Sequence, residues 1–201
     1  MDKPVLQEEY KGYVIKIWQD EMPENPREWD NIAHFYFWHR HYDIGDKHSY
    51  SVEEFQEIAK KHKNKWFAFP VTMYDHSGIG FSLSRTSYPF NCPWDSMQVG
   101  WIIINKSDLK KNFPKLLQEE YAAKALEIAQ AELDVYNDHV QGNVYGYEII
   151  KPRTDECITC HRKIDDEDIE SSWGYYGDPE KDGGAMAEAK SIIDHLTKPK
   201  A

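Results

Sequence analysis

Short runs of β-branched and aromatic residues recur along the sequence, and amphipathic stretches interrupt them at irregular intervals. This order favours an α+β fold over a doubly wound parallel sheet, which needs strands and helices in regular alternation. We therefore predict an α+β fold, mainly one antiparallel sheet, packed by one long helix and two shorter helices. A chain of 201 residues fits a single domain, residues 1–201, and is long enough to bury a hydrophobic core.

The predicted strands share a high content of Val, Ile, Tyr, Phe and Trp, and turn residues bound them. The run 97–105 is apolar on both alternating faces, which predicts a central strand. Pro70 indicates an edge or bulge position, and Asp75-His76-Ser77-Gly78 predicts a hairpin turn. The predicted strands are 13–18, 32–38, 66–74, 79–84, 97–105, 143–150 and 169–176.

Three amphipathic stretches predict helices. Ser51 and Glu54 have the spacing of a capping box and begin a helix over 52–62. A stripe of apolar residues at three- and four-residue steps predicts the long helix, about 115–141, which begins next to Pro114 and ends before Gly142. A final amphipathic pattern predicts a helix over about 184–197.

The formal net charge is -11, from 24 Lys and Arg against 35 Asp and Glu. A surface of this average charge repels a phosphate backbone, so we expect no direct nucleic-acid partner. Two explanations of the acidity remain open. It keeps the protein soluble, or it imitates nucleic acid toward a basic partner protein.

No apolar run approaches the roughly 20 residues that span a bilayer, and the first residues lack the basic start and apolar core of a signal peptide. The sequence therefore predicts no membrane partner and a cytoplasmic location. The three cysteines, Cys92, Cys157 and Cys160, are too few for a disulfide framework. We expect reduced thiols.

The segment Cys157-Ile-Thr-Cys160-His161 has the spacing with which two thiolates hold one tetrahedral metal ion from a tight turn. Cys157, Cys160 and His161 are therefore candidate zinc ligands, but zinc needs a fourth ligand and the sequence has no second C-x-x-C. A reduced, unmetallated pair in a small hairpin appendage, about 152–170, is the simpler interpretation. A redox dithiol is a third, and c-type haem attachment is disfavoured because no export signal precedes the motif.

Histidines and carboxylates cluster at predicted strand ends and loops, where sites commonly lie. They predict a metal-dependent or acid–base site, because imidazole and carboxylate both bind metals and transfer protons. The alternative is that they are polar surface or satisfied turn residues, and this suits the hairpin turn at Asp75 and His76 in particular. The candidate catalytic residues are His39, His41, Asp46, Asp75, His76 and Asp95.

Two glycine-rich signatures of nucleotide binding are absent from the sequence, G-x-x-x-x-G-K-[ST] and G-x-G-x-x-G. The sequence therefore predicts neither nucleotide hydrolysis nor Rossmann chemistry.

Six motifs occur in order along most of the chain: NPREWDN at 25–31, HRHYDIGD at 39–46, YDHSGIGFS at 74–82, FNCPWDSMQVG at 90–100, QGNVYGYEI at 141–149 and SSWGYYGD at 171–178. Together they resemble a family of uncharacterised proteins encoded by bacteriophages and other mobile elements. The resemblance implies a phage or prophage setting and implies no activity. The family more often has Asp-Ser-Cys-Trp-Gly where this chain has Glu170 to Gly174. If that cysteine is a zinc ligand in the family, Ser172 in its place weakens the zinc interpretation here.

Three functional hypotheses follow. The first is a phage-type accessory or anti-defence protein that binds and inhibits a host protein, such as a defence or nucleic-acid enzyme, through an acidic, aromatic-rich surface. The second is an enzyme that uses the His and Asp cluster, and the third is a small zinc-stabilised binding module. Nothing in the sequence sets the oligomeric state.

Overall fold

The computed structural model describes residues 3–75, 78–84, 96–153 and 166–198, and these form an α+β structure with two four-stranded antiparallel sheets and four α-helices. The predicted fold class is confirmed, but two sheets replace the single main sheet. Along the chain, the elements are β1 (Leu6–Tyr10), β2 (Tyr13–Gln19), a short 3-10 helix (Pro26–Glu28), β3 (Ala33–Phe37), α1 (Val52–His62), β4 (Trp66–Asp75), β5 (Ile79–Leu83), β6 (Ser96–Asn105), α2 (Lys106–Asn112), α3 (Tyr121–Val140), β7 (Val144–Lys151), β8 (Glu167–Tyr176) and α4 (Ala185–Leu196).

The chain divides into two compact units, because its strands bury their apolar faces in two hydrophobic clusters. The first unit is Met1–Glu24 with Gly142–Ala201, and the second unit is Asn25–Gln141. The prediction of one domain over 1–201 stays a prediction, as does the appendage at 152–170, of which residues 154–165 lie outside the described ranges.

In the first unit the strand order is β1-β2-β7-β8, and α4 packs on one face. Ile15 and Ile17 of β2 lie opposite Ile149 and Tyr147 of β7, and all four side chains are buried against α4. The sequence analysis did not predict β1, because three of its five residues are polar. It is an edge strand, and Glu8 pairs with Lys190 of α4 at 2.8 Å.

In the second unit the order is β3-β6-β4-β5, so the predicted central strand at 97–105 is confirmed as β6. Pro70 lies in β4, which pairs on both sides and is not an edge strand. The register between β4 and β6 shifts between Val71 and Thr72, directly after Pro70. Pro70 itself precedes the first residue of β4 that pairs with β5, Val71, so it lies just beyond the end of β5 and beside the bulge, where a residue without an amide hydrogen is tolerated.

The structure confirms α1 and its capping box. The Glu54 amide donates to Ser51 Oγ at 3.1 Å, and the Ser51 amide donates to Glu54 Oε2 at 2.9 Å. On the sheet face that α1 covers, the ring of Phe55 lies among tryptophans and a tyrosine. These are Tyr36, Trp38, Trp66 and Trp101, at centroid distances of 4.8, 5.3, 6.3 and 5.5 Å.

The long helix begins at Tyr121 rather than near residue 115. A turn precedes it, in which the Leu117 amide donates to Glu120 Oε2 at 2.6 Å and the Tyr121 hydroxyl donates to the carbonyl of Phe113 at 3.1 Å. A separate helix, α2, which the sequence analysis did not predict, buries one residue, Leu109. The final helix, α4, agrees with the prediction to within one residue at each end.

Gly100 of β6 lies against the backbone of β3. A Cβ atom at this position would overlap the carbonyl oxygen of Tyr36, which cannot move without separating the two strands. A Cβ at Gly80 of β5 would meet only the flexible side chain of Gln141, at 3.4 Å.

We predict that Gly100→Ala lowers the free energy of unfolding by about 2–3 kcal/mol, because the overlap is with backbone. The control Gly80→Ala changes it by less than about 1 kcal/mol. Urea denaturation followed by circular dichroism measures both. Equal effects of the two substitutions would contradict the proposed close approach of β3 and β6.

His139 near the end of α3 has a buried Nδ1 atom for which the described part of the chain provides no hydrogen-bond partner. Burial lowers the pKa of this imidazole below its ordinary value of 6.5. In acid the unfolded chain therefore binds a proton more readily than the folded chain does at this residue. The stability that a neutral His139 contributes is present above about pH 6.5 and is lost as the pH falls toward the lowered pKa.

We predict that His139→Gln makes the free energy of unfolding less dependent on pH in the range just below pH 6.5. The measurement is urea denaturation of both proteins at a series of pH values. A slope unchanged by the substitution would mean that His139 titrates alike in the folded and unfolded chains.

Candidate functional site

Asp46 lines the same pocket as His39, a space of about 350 Å³, and its carboxylate is held by Arg27 and by the backbone of β3. Both of its carboxylate oxygens are engaged: Oδ1 accepts from Arg27 Nε at 2.7 Å, and Oδ2 accepts from the Phe35 amide at 2.9 Å and from Arg27 Nη2 at 3.2 Å. His34 Nδ1 lies 3.8 Å from Oδ2. These contacts give Asp46 a structural role.

His39 and His41 lie together, with ring centroids 5.9 Å apart, and the His41 amide donates to His39 Nδ1 at 3.2 Å. The ring of Tyr42 stacks on that of His39 at 4.8 Å, and its hydroxyl lies 3.5 Å from Asp75 Oδ1. Tyr42 thus contacts two of the predicted residues, His39 and Asp75. Within the described ranges, no group of three or more His, Cys, Asp and Glu side chains could hold a metal ion.

The remaining predicted residues lie outside the described ranges, so their roles stay predictions. They are His76 and Asp95 of the catalytic candidates, and Cys157, Cys160 and His161 of the zinc candidates.

Arg27, which the sequence analysis did not single out, is the centre of a polar network in the second unit. Its side chain is only 4% exposed, and its guanidinium lies 3.7 Å from the centroid of Phe35. Besides Asp46, it donates to Glu132 Oε2 at 2.9 Å and to the carbonyl of Ala33 at 2.7 Å. Each of the three guanidinium nitrogens of Arg27 therefore donates at least one hydrogen bond.

Glu132 extends this network from α3 to the start of β3. Its Oε1 accepts from the amides of Ile32 and Ala33, each at 3.1 Å. On the other side, Gly45 donates its amide to the hydroxyl of Tyr136 at 2.9 Å, and burial raises the pKa of Tyr136. The network therefore joins β3, α3 and the loop that carries Asp46.

An open groove of about 780 Å³ lies in the first unit, at the end of β2. We call it the acidic groove. Trp173, which is 48% exposed, and Met22, which is 91% exposed, are its most prominent apolar side chains. Its lining residues are Pro4, Gln7, Lys16, Trp18, Gln19, Asp20, Glu21, Met22 and Trp173.

Strand alternation explains how the acidic groove forms. In β2, Ile15 and Ile17 point toward α4, so Lys16 and Trp18 point to the opposite face. Gly146 lies opposite Trp18, and a Cβ atom there would overlap the indole of Trp173. The absence of a side chain at Gly146 allows the two strands on either side of it to bring their tryptophans to one place.

Carboxylates give this site its electrostatic character. Trp18 Nε1 donates to Glu148 Oε2 at 2.8 Å, which fixes the indole beside a negative charge. Glu148 itself is not a lining residue, but Asp20 and Glu21 line the groove, and Lys16 is the basic residue among its lining residues. The first unit has 19 Asp and Glu against 11 Lys and Arg, a formal charge of -8, whereas the second has 16 against 13, a charge of -3.

The sequence contains one signal of this groove that the sequence analysis did not use. A glycine inside a strand pattern indicates a close approach, and Gly146 stands in the middle of VYGYEIIK.

Comparison of the chain with family models, with curated proteins and with solved structures gives no match. In the part of the chain that the structure describes, no helix is long and apolar enough to cross a bilayer.

We predict that Arg27→Ala lowers the free energy of unfolding by about 3–5 kcal/mol, because it leaves Asp46 and Glu132 partly buried without their cation. Arg27→Lys is also destabilising, since an ammonium group cannot make the forked contacts of a guanidinium.

The control is Lys60→Ala, which removes a pair with Glu57 whose side chains are 71% and 62% exposed. It should change the free energy of unfolding very little, because solvent screens an exposed ion pair. Chemical denaturation compares the three variants, and a loss for Arg27→Ala no larger than that for Lys60→Ala would refute a central role of Arg27.

Proposed function

We propose that this protein is a phage-type accessory, anti-defence factor that binds and inhibits a host protein, and that the acidic groove holds a Lys- or Arg-bearing segment of that partner. The observation that carries the proposal is the pair of indoles, Trp18 and Trp173, next to the carboxylates of Asp20, Glu21 and Glu148. The binding takes place in the cytoplasm of the host cell.

The chemistry of the groove selects a cation. Indole faces attract ammonium and guanidinium groups by about 0.5–2 kcal/mol, and more strongly when the contact excludes water. The neighbouring carboxylates add charge-assisted hydrogen bonds, which suit the planar fork of arginine in particular. Two carboxylates, Asp20 and Glu21, outnumber the single ammonium of Lys16 in the lining. Glu148 holds the indole of Trp18 from behind the lining, so the balance of charge favours a basic partner.

The exposed apolar side chains support a protein as the partner. Tryptophan and methionine are enriched in protein interfaces, and tryptophan is among the residues that contribute most to binding energy. Trp173 is 48% exposed and Met22 is 91% exposed, which leaves both available for contact. The formal charge of -8 on the first unit would also speed association with a basic surface.

The resemblance to phage and mobile-element proteins supplies the biological setting. Proteins of this kind meet the host's defence and nucleic-acid enzymes, and such enzymes carry basic surfaces because they bind phosphate backbones. An acidic surface that occupies such a site would compete with nucleic acid and inhibit the enzyme.

The contacts of Asp46 disfavour a role for this carboxylate as a general base. A general base needs a free lone pair directed at substrate, but the carboxylate of Asp46 accepts hydrogen bonds from Arg27 and from the Phe35 amide. An enzyme based on His39, His41 and Asp75 remains the alternative hypothesis, and a zinc-stabilised module remains the third.

We predict that wild-type protein captures a partner saturably from lysate of a bacterial host, and that Trp173→Ala weakens this binding about 30-fold, the loss of a typical hot-spot residue. Trp29 of the second unit is 43% exposed, similar to Trp173, so Trp29→Ala is a matched control that should bind normally.

Binding is measured by quantitative pull-down at several concentrations of bait and at low and high salt. Absence of any saturable partner, or equal weakening by the two tryptophan substitutions, would contradict the proposal.

A further inference from the structure

The second unit carries a dense group of lysines that no feature described above uses. They lie in two segments, residues 60–65 at the end of α1 and residues 106–111 in α2. We call this group the lysine patch. Its members are Lys60, Lys61, Lys63, Lys65, Lys106, Lys110 and Lys111.

The sheet brings the two segments together. Trp66 at the start of β4 pairs with Asn105 at the end of β6, so the residues on either side of this pair are neighbours. The Lys106 amide donates to the carbonyl of Lys65 at 2.9 Å, and Lys106 Nζ donates to the carbonyl of Asn64 at 3.0 Å. Lys106 therefore joins the segments, and the other six lysines are exposed.

The positive charge of the lysine patch exceeds the negative charge of the carboxylates and helix ends around it. Its twelve positions contain seven lysines and one carboxylate, Asp108, whereas the rest of the second unit has 6 Lys and Arg against 15 Asp and Glu. The C-termini of α1 and α2 each contribute about half a negative charge. Asp108 and both helix ends thus neutralise about two of the seven lysines, and Glu57, which pairs with Lys60 at 2.6 Å, neutralises a third.

A patch that contains lysines but no arginines suits phosphate groups as ligands. An ammonium group on a flexible stem binds phosphate as a point charge, and it lacks the rigid fork with which arginine reads guanine. Contacts of this kind position a nucleic-acid backbone without reading its sequence. The patch also offers several ammonium groups to one backbone, since it includes the end of α1, the turn between α1 and β4, and α2.

We propose that the lysine patch binds the phosphate backbone of nucleic acid without sequence preference. The average charge of the chain predicted no such partner, but an average does not describe the field at one surface. The proposal is independent of the acidic groove, which lies in the first unit. It would place the accessory protein on the nucleic acid that its target also binds.

The test is fluorescence anisotropy of a labelled 20-base-pair DNA of arbitrary sequence, titrated with the full-length protein at several salt concentrations. We expect a dissociation constant of roughly 10⁻⁴–10⁻⁶ M near physiological salt, and tighter binding as salt is lowered. The triple variant Lys61→Glu, Lys63→Glu, Lys111→Glu should bind at least about tenfold more weakly, with a salt slope smaller by about three.

A second triple variant, Lys3→Glu, Lys151→Glu, Lys198→Glu, changes the net charge equally at exposed lysines of the first unit and is the matched control. It should bind DNA far better than the patch variant does. Equal losses in the two variants, or no binding by the wild-type protein, would overturn the proposal. So would equal competition by poly-glutamate, because the patch would then fit an acidic protein instead.

Trp173→Ala separates this proposal from the acidic groove. It should leave DNA binding unchanged while it weakens protein capture, and the patch variant should do the reverse. If either DNA binding or protein capture fails, the other is still tested by its own variant.

Discussion

The second unit depends on the guanidinium of Arg27. It is almost fully buried, and it contacts Asp46, Glu132, the carbonyl of Ala33 and the ring of Phe35. A buried cation is tolerable only when such partners replace water, so the positions of β3, α3 and the Asp46 loop are coupled. The same coupling engages both carboxylate oxygens of Asp46 in the fold of the second unit.

Charge is distributed unevenly between the surfaces of the two units. The first unit carries most of the net negative charge, and its sheet holds two tryptophans beside Glu148. The second unit collects seven lysines at the end of α1 and along α2. One surface therefore suits a basic protein segment and the other suits phosphates, a combination that fits a factor acting on an enzyme at its nucleic-acid substrate.

Local patterns predicted local structure well. The capping box at Ser51 and Glu54 gave α1, and the alternation around 97–105 gave the central strand β6. The pattern could not show that Arg27 meets Asp46 and Glu132, which lie 19 and 105 positions away. Nor could it show that Lys106 contacts the segment around Asn64, 42 positions earlier, or that Gly146 makes room for Trp173. Both contacts depend on how the neighbouring strands are aligned in the sheet, which the pattern within one strand does not give.

The most direct test of partner binding at the acidic groove is photo-cross-linking from benzophenone side chains placed singly at Met22 and at Leu117. Both residues are exposed, by 91% and 60%, but only Met22 lines the groove. With host lysate, we expect position 22 to give one saturable protein adduct that high salt and Glu148→Gln diminish, and position 117 to give none. Adducts from position 117 alone, or the same adducts from both positions, would contradict binding at the groove.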